Sequence, residues 1–274
     1  MTPLTEINYF LLDMDGTLYL GDELIPGAKR LTEEIKTQGK RALYITNNSS
    51  KGVNQYVDKL RKLGIDAEPE DFFTSAHALV RYLSNVKSGA SLYLMGTPDL
   101  EEFVSQGGFK LVKKYGEVID YVVLGFDTTL TYEKIRIACD YLTDGVEFIA
   151  THPDLVCPVE GGRFIPDCGS MLEMFKAATK RTPSVIIGKP NTYIVDMIIE
   201  ELNCKKTEIA IVGDRLKTDI LTAINAGVTS VAVLSGETTL EEIKNSIYKP
   251  DYIVSSVYDI YKILKGERNA GFNL

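Results

Sequence analysis

The stretch Tyr9-Phe10-Leu11-Leu12-Asp13-Met14-Asp15-Gly16-Thr17-Leu18-Tyr19 decides how this chain reads. Residues 7–12 form an apolar run too short for a helix, which reads as a buried strand. The run ends abruptly in two carboxylates and a glycine. In an open parallel sheet, ligands bind beyond the carboxyl ends of the strands, and Asp13 falls at that edge. Asp15 lies two residues on and can point the same way, while Met14 points back. Gly16 lets the chain turn sharply without a side-chain clash. Two acids this close repel unless a cation or a shared proton relieves them. That invites a hard, oxygen-seeking ion such as Mg²⁺. A calcium loop of the EF-hand type fails, because it needs oxygen ligands at every second position and a closing Glu. Here Thr17-Leu18-Tyr19-Leu20 is mostly apolar. A simple polar turn after a strand is the bland alternative, and the rest of the chain must discriminate.

The 274 residues are enough for two domains, with 45% hydrophobic and 25% charged residues, as in ordinary globular proteins. A net charge of −8 disfavours a nucleic-acid partner. Phosphate remains accessible to an acidic protein if metal, lysine and backbone N–H groups oppose the field locally. The four cysteines, Cys139, Cys157, Cys168 and Cys204, form no Cys-x-x-Cys pair. Neither a zinc ribbon nor a thioredoxin motif is therefore expected. Scattered thiols fit a reducing, cytoplasmic setting. There is no signal-peptide pattern and no run near ~20 apolar residues, so no membrane span is expected.

Along the chain, short apolar runs alternate with amphipathic stretches. Strands are expected at 42–45, 91–95, 121–125, 147–150, 184–187, 208–212, 230–234 and 252–254. Helices are expected at 28–38, 53–63, 76–86, 99–106, 132–142, 169–180, 192–202, 216–226, 240–245 and 257–264. Residues 21–27 are turn-rich and read as a loop or small hairpin. Residues 72–75 read as a short strand and a helix start, and the tail from Gly266 as loose. The strand-then-helix order predicts an α/β fold with a Rossmann-like parallel sheet covered on both faces. The acidic strand ends belong to the two ends of the chain. The middle is its own α/β segment without a catalytic cluster. The expected division is a core of residues 1–78 with 182–274, and an inserted α/β cap of 79–181.

Four stretches follow apolar strands: Asp13-Met14-Asp15, Thr46-Asn47-Asn48, Gly188-Lys189-Pro190, and Gly213-Asp214 through Asp219. In a parallel sheet all four meet along one edge. Phosphoryl transfer needs such a meeting, because charge on the phosphoryl oxygens must be offset while the nucleophile stays in line. Asp13 can attack phosphorus to give an aspartyl phosphate. Asp13, Asp214 and the Asp15 backbone carbonyl can hold the metal. Thr46, Asn47 and Asn48 form the candidate phosphate loop, and Lys189 adds a point charge. Asp15 can protonate the leaving alkoxide and then deprotonate water. Asp219 would hold a metal-bound water or orient Lys189. Each has a plainer reading. Residues 46–49 suit a helix N-cap, a role compatible with anion binding. Lys189 suits an exposed turn, and Asp219 suits an i,i+4 pair with Arg215. Those plainer readings require four coincidences in the right order.

The motif 13–19 resembles the first motif of haloacid dehalogenase-type phosphohydrolases, and all four motifs of that superfamily occur in order. The stretches 46–49, 73–76, 124–127, Ile149-Ala150-Thr151-His152-Pro153-Asp154 and 188–190 resemble its NagD/4-nitrophenylphosphatase branch. The resemblance covers nearly the whole chain. It implies an Mg²⁺-dependent phosphatase acting on small phosphorylated metabolites, with a large α/β cap that closes over the core. Asp15 matters here, because the superfamily's dehalogenases lack that acid. A phosphomutase or phosphotransferase of the same fold and a phosphate-binding protein with weak turnover are the rivals. Oligomeric state is left open between monomer and homodimer, since relatives often associate through their caps. His152 departs from the pattern, standing where bacterial relatives commonly carry Asn. It reads first as a structural loop histidine, and His77 as a helix-surface residue.

Overall fold

The computed structural model describes residues 2–159 and 162–267. The chain divides into two compact units. The first comprises Met1–Thr46, Asn54–Phe73 and Lys189–Leu274, and the second Asn47–Val53 and Thr74–Gly188.

In chain order, the first stretch runs β1 (Tyr9–Leu12), β2 (Tyr19–Leu20), β3 (Glu23–Leu24), α1 (Ala28–Thr37), β4 (Arg41–Thr46), α2 (Val53–Lys62) and β5 (Phe72–Thr74). The middle runs α3 (Ser75–Lys87), β6 (Ser91–Met95), α4 (Pro98–Gln106), β7 (Lys110–Leu111), β8 (Tyr121–Leu124), α5 (Tyr132–Thr143), β9 (Glu147–Ala150), β10 (Val156–Val159), β11 (Arg163–Pro166), α6 (Cys168–Thr179) and β12 (Val185–Ile186). The last stretch runs α7 (Tyr193–Leu202), β13 (Ile209–Gly213), α8 (Leu221–Ala226), β14 (Thr229–Val233), α9 (Leu240–Asn245), β15 (Tyr252–Val254) and α10 (Val257–Leu264).

The first unit is built on a six-stranded sheet in the order β15-β14-β13-β1-β4-β5. β1 lies centrally, parallel to both β13 and β4, with Leu12 level with Val212 on one side and Tyr44 on the other. Phe10, Leu11, Leu12 and Ile209 to Val212 are fully buried, as expected where helices cover both sheet faces. Truncating Phe10, Leu11, Leu12, Ile209 or Ile211 to Ala would cost roughly 2–5 kcal/mol. The expected small hairpin after Gly16 is present as β2–β3, with Tyr19 opposite Leu24.

The second unit has a five-stranded sheet, order β12-β9-β8-β6-β7, in which every neighbouring pair is parallel. Its core gathers Tyr93, Met95, Leu124, Phe148, Leu172 and Phe175. An antiparallel ribbon, β10–β11, extends the unit. Neither that ribbon nor β7 is expected from the sequence. The helix expected over 216–226 is divided. Leu216–Ile220 forms a π-helical turn, and the α-helix starts only at Leu221. No helix among the described residues is long and apolar enough to cross a membrane. The expected loose tail falls mainly on 268–274, outside the described residues.

Candidate active site

Parallel pairing brings the ends of β1 and β13 side by side. The Asp13 N–H donates to Val212 O at 2.9 Å, continuing the ladder one residue past β1. Asp13 and Asp214 therefore emerge from adjacent strands at the carboxyl edge of the sheet. Thr46 closes β4 on the other side of β1.

Gly16 adopts φ +81°, and a Cβ there would collide with the Asp214 carboxylate. Only glycine serves both demands. The first turn after β1 is thereby closed against Asp214, whose Oδ2 accepts the Glu237 N–H at 2.7 Å. The π-helical turn arises from the Ile220 N–H bonding back to Arg215 O, with the Asp219 N–H on the same carbonyl. It carries Asp219 inward, where its Oδ2 accepts the Arg215 N–H at 3.2 Å. Such turns concentrate at functional sites. The Arg215 guanidinium pairs with Glu237 and not with Asp219.

Lys189 is 3% exposed. Its Nζ donates to Asp13 Oδ1 at 2.5 Å and to Asp219 Oδ1 at 2.6 Å. The exposed turn lysine of the plainer reading is thus not what the chain builds. Asp13, Asp214 and Asp219 each offer a carboxylate oxygen within 4.8 Å of the others. Burial, and then the Asp219 and Asp214 charges, hold the Asp13 carboxyl well above the usual carboxylate range against the opposing pull of Lys189. Burial and Asp219 push Asp214 up to about 6. Burial alone would lower Lys189, but the charges of Asp13 and Asp219 outweigh it and hold the ammonium above its ordinary value. Three acids around one lysine leave excess negative charge in a nearly dry setting. Asp214 Oδ1 is buried and has no hydrogen-bond partner. A buried carboxylate oxygen without a partner is costly, and a divalent cation with oxygen preference would satisfy it. The donor set therefore fits Mg²⁺.

Asp15 is exposed, while Met14 is buried, so the two residues face opposite ways as the strand periodicity requires. The Tyr19 hydroxyl donates to Asp15 Oδ2 over a long 3.4 Å, and Lys59 Nζ lies 3.8 Å from the Tyr19 ring centroid. Burial and then the Asp15 charge raise the Tyr19 phenol above its ordinary value.

Asn47 and Asn48 begin the second unit. They are not a helix cap, because α2 starts only at Val53. Asn48 Oδ1 instead accepts from the Ser50 N–H at 2.9 Å and the Ser50 hydroxyl at 2.8 Å. Asn47 Nδ2 donates to Asp154 at 3.0 Å, and Ser75 Oγ donates to Asn47 O. His77 is not a surface residue. It is the third residue of α3, edge-on to Phe103, with Nδ1 3.3 Å from the Thr74 N–H. Burial pushes it down to about 4. His152 is fully buried with both ring nitrogens bonded. Cys168 is buried, and that burial pushes its thiol up to about 12.

A parallel α/β sheet with a carboxylate–lysine cluster at the carboxyl edge of its central strands defines the class: a metal-assisted phosphoryl-transfer hydrolase. Comparison with known proteins makes the family specific. A model of haloacid dehalogenase-like hydrolases matches residues 10–110, and a HAD-hydrolase-like model matches 186–260. An acid sugar phosphatase of Staphylococcus aureus is 40% identical over 243 residues, 89% of this chain and 92% of that protein. Among solved structures, 4-nitrophenylphosphatase from Thermotoga maritima superposes with a TM-score of 0.91 at 40% identity, covering 96% of this chain and all of that one. Glycerol phosphate phosphatase from Mycobacterium tuberculosis, in complex with magnesium, gives 0.89 at 28% identity, covering 97% of this chain and 79% of that one. The chain belongs to the haloacid dehalogenase-like hydrolase family, and within it is a phosphatase, a phosphoric monoester hydrolase.

Proposed function

We propose that this phosphatase hydrolyses small phosphomonoesters, sugar and polyol phosphates foremost, by passing the phosphoryl group to Asp13 and then to water. Mg²⁺ is its cofactor. The observation that carries the reading is Lys189 bonded at once to Asp13 and Asp219, beside the unpartnered Asp214 Oδ1. Lys189 occupies Asp13 Oδ1 and leaves Oδ2 as the attacking oxygen. That oxygen forms the new P–O bond as the bond to the leaving alkoxide breaks, and Asp15 gives the alkoxide its proton. Asp15 then takes a proton from water, which attacks phosphorus and releases phosphate with Asp13 restored. Asp13, Asp214 and the Asp15 backbone carbonyl would hold Mg²⁺, with Asp219 as the adjacent acid. When bound, the ion offsets charge on the phosphoryl oxygens.

Thr46, Asn47 and Asn48 are assigned to the phosphoryl oxygens. The first unit is assigned as the catalytic core and the second as the cap, so the bounds expected for the cap, 79–181, widen to take in β12, which pairs with β9. The names of the relatives, a sugar and a glycerol phosphate phosphatase among them, support the substrate class. Four free thiols support a cytoplasmic setting, and association as a homodimer is part of the same reading.

The test is phosphate release from a panel of sugar, polyol and nucleoside monophosphates with and without Mg²⁺. Asp13→Asn is expected to abolish it while the protein stays folded. Asp15→Asn is expected to lose more rate with alkyl phosphates than with 4-nitrophenyl phosphate, whose leaving group needs no proton. Equal losses would remove Asp15 as the acid. Phosphate passed to a second sugar instead of water would make the chain a transferase.

A further inference from the structure

Within the second unit, four side chains form an unbroken buried chain of hydrogen bonds. Ser49 Oγ accepts the Phe126 N–H at 2.9 Å and lies 3.1 Å from Thr151 Oγ1. Thr151 Oγ1 lies 2.9 Å from His152 Nδ1, and His152 Nε2 lies 2.8 Å from Asp167 Oδ1. Ser49, Thr151 and His152 are at most 1% exposed, and Asp167 is 5% exposed.

The protons on this chain can be placed. The Asp167 carboxylate can only accept, so His152 Nε2 carries a ring proton and donates to it. In that tautomer Nδ1 is an acceptor facing the Thr151 hydroxyl at 2.9 Å, a shorter contact than the same hydroxyl makes with Cys168 Sγ at 3.8 Å, and Thr151 Oγ1 can in turn take the Ser49 hydrogen. Asp167 in turn is fixed at the start of α6, where Oδ1 takes the Cys168 N–H at 2.6 Å.

The same turn makes two more contacts, one to the 47–49 loop and one to Gly188. Asp154 takes the Asn47 side-chain N–H, and the Thr151 carbonyl takes the Gly188 N–H at 2.7 Å. A Cβ on Gly188 would strike Asn47 Oδ1, so these segments are in direct contact. Residues 47–49 are thus held at Asn47 by Asp154 and at Ser49 by the relay that starts on Asp167.

We propose that His152, oriented by Asp167, is a positioning residue for the 47–49 loop, acting through Thr151 and Ser49. The proposal rests on the assignment of that loop to the phosphoryl group. The imidazole at 152 faces a hydroxyl with one nitrogen and a carboxylate with the other.

Two measurements test it. The full chain holds two histidines, so ¹⁵N ring resonances can be assigned with His77→Gln alone. His152 is expected as the Nε2–H tautomer with a slowly exchanging ring proton, and Ser49→Ala or Thr151→Val should shift Nδ1. An Nδ1–H tautomer, or an Nδ1 signal indifferent to both variants, overturns the relay. The second measurement is competitive inhibition by inorganic phosphate. His152→Ala and Ser49→Ala should each weaken phosphate binding roughly tenfold, on the scale of a small misplacement of binding groups. The double variant should lose no more than the worse single. A histidine that only supports folding would lower kcat with the folded fraction and leave phosphate inhibition unchanged, and that result overturns the proposal. If Asn47→Ala fails to weaken phosphate inhibition, the assignment of the loop is wrong, while the ring resonances still judge the relay separately.

Discussion

Lys189 is the residue on which the candidate site balances. Its ammonium is bonded to both Asp13 and Asp219, and all three are largely shielded from water. Removing one member of a buried pair strands the other charge, typically at about 3–5 kcal/mol. Lys189→Met is therefore expected to lower unfolding free energy by about that amount near neutral pH, measured by denaturant titration, and to abolish turnover. Asp214 provides a linked test with a definite sign. Its pKa is raised to about 6, so between about pH 4 and 6 the folded, cation-free chain binds more protons than the unfolded one. Stability from this group falls as pH rises through that window. Mg²⁺ displaces the same protons and stabilises only the folded chain. The rise in Tm on adding Mg²⁺ should be larger near neutral pH than at about pH 5, and equal rises would separate Asp214 from the metal.

At the scale of elements, α3 carries its own pH response. Thr74 Oγ1 caps the helix by accepting the His77 N–H, and His77 Nδ1 faces back to the Thr74 N–H. Burial disfavours a proton on this ring. With the folded pKa lowered to about 4, stability from this pair is present above about pH 6.5 and is lost as pH falls toward 4, by up to about 3 kcal/mol. Comparing the pH dependence of unfolding for the parent and His77→Gln should show the parent's slope flattened in the variant.

The strands and helices that are strongly periodic or wholly apolar were readable in advance. Residues 10–12 and 209–212 are fully buried, and continuous apolar runs are what such strands require. The ribbon β10–β11 was not readable, since its eight residues are exposed or half-exposed and carry no burial pattern. The place of Asp219 was half legible. Helical spacing pairs it with Arg215, but the π-helical turn redirects it to Lys189, and that turn depends on packing against β13 and β14. The cap expected at residues 46–49 failed for a related reason. Asn48 closes a local turn with Ser50, a competing use of the same side-chain chemistry.

For the whole molecule, chain order and spatial order differ. The six-stranded sheet interleaves strands from both ends of the sequence, whereas every strand of the five-stranded sheet comes from one continuous stretch. An excised fragment of residues 74–188 is therefore expected to fold with a cooperative thermal transition, though without Ser49 to complete the relay at Thr151. A fragment of 189–274 alone lacks β1, β4 and β5, and is expected to stay unfolded by circular dichroism. A fragment 74–188 that melts without cooperativity would show that its sheet depends on the rest of the chain.

The placement of β1 beside β13 also bears on how the protein is made. A ribosome that has translated only as far as residue 188 has produced Asp13 and Asp15 but neither the lysine nor the other two acids. The growing polypeptide therefore lacks the assembled cluster of three acids and one lysine until Asp219 has emerged.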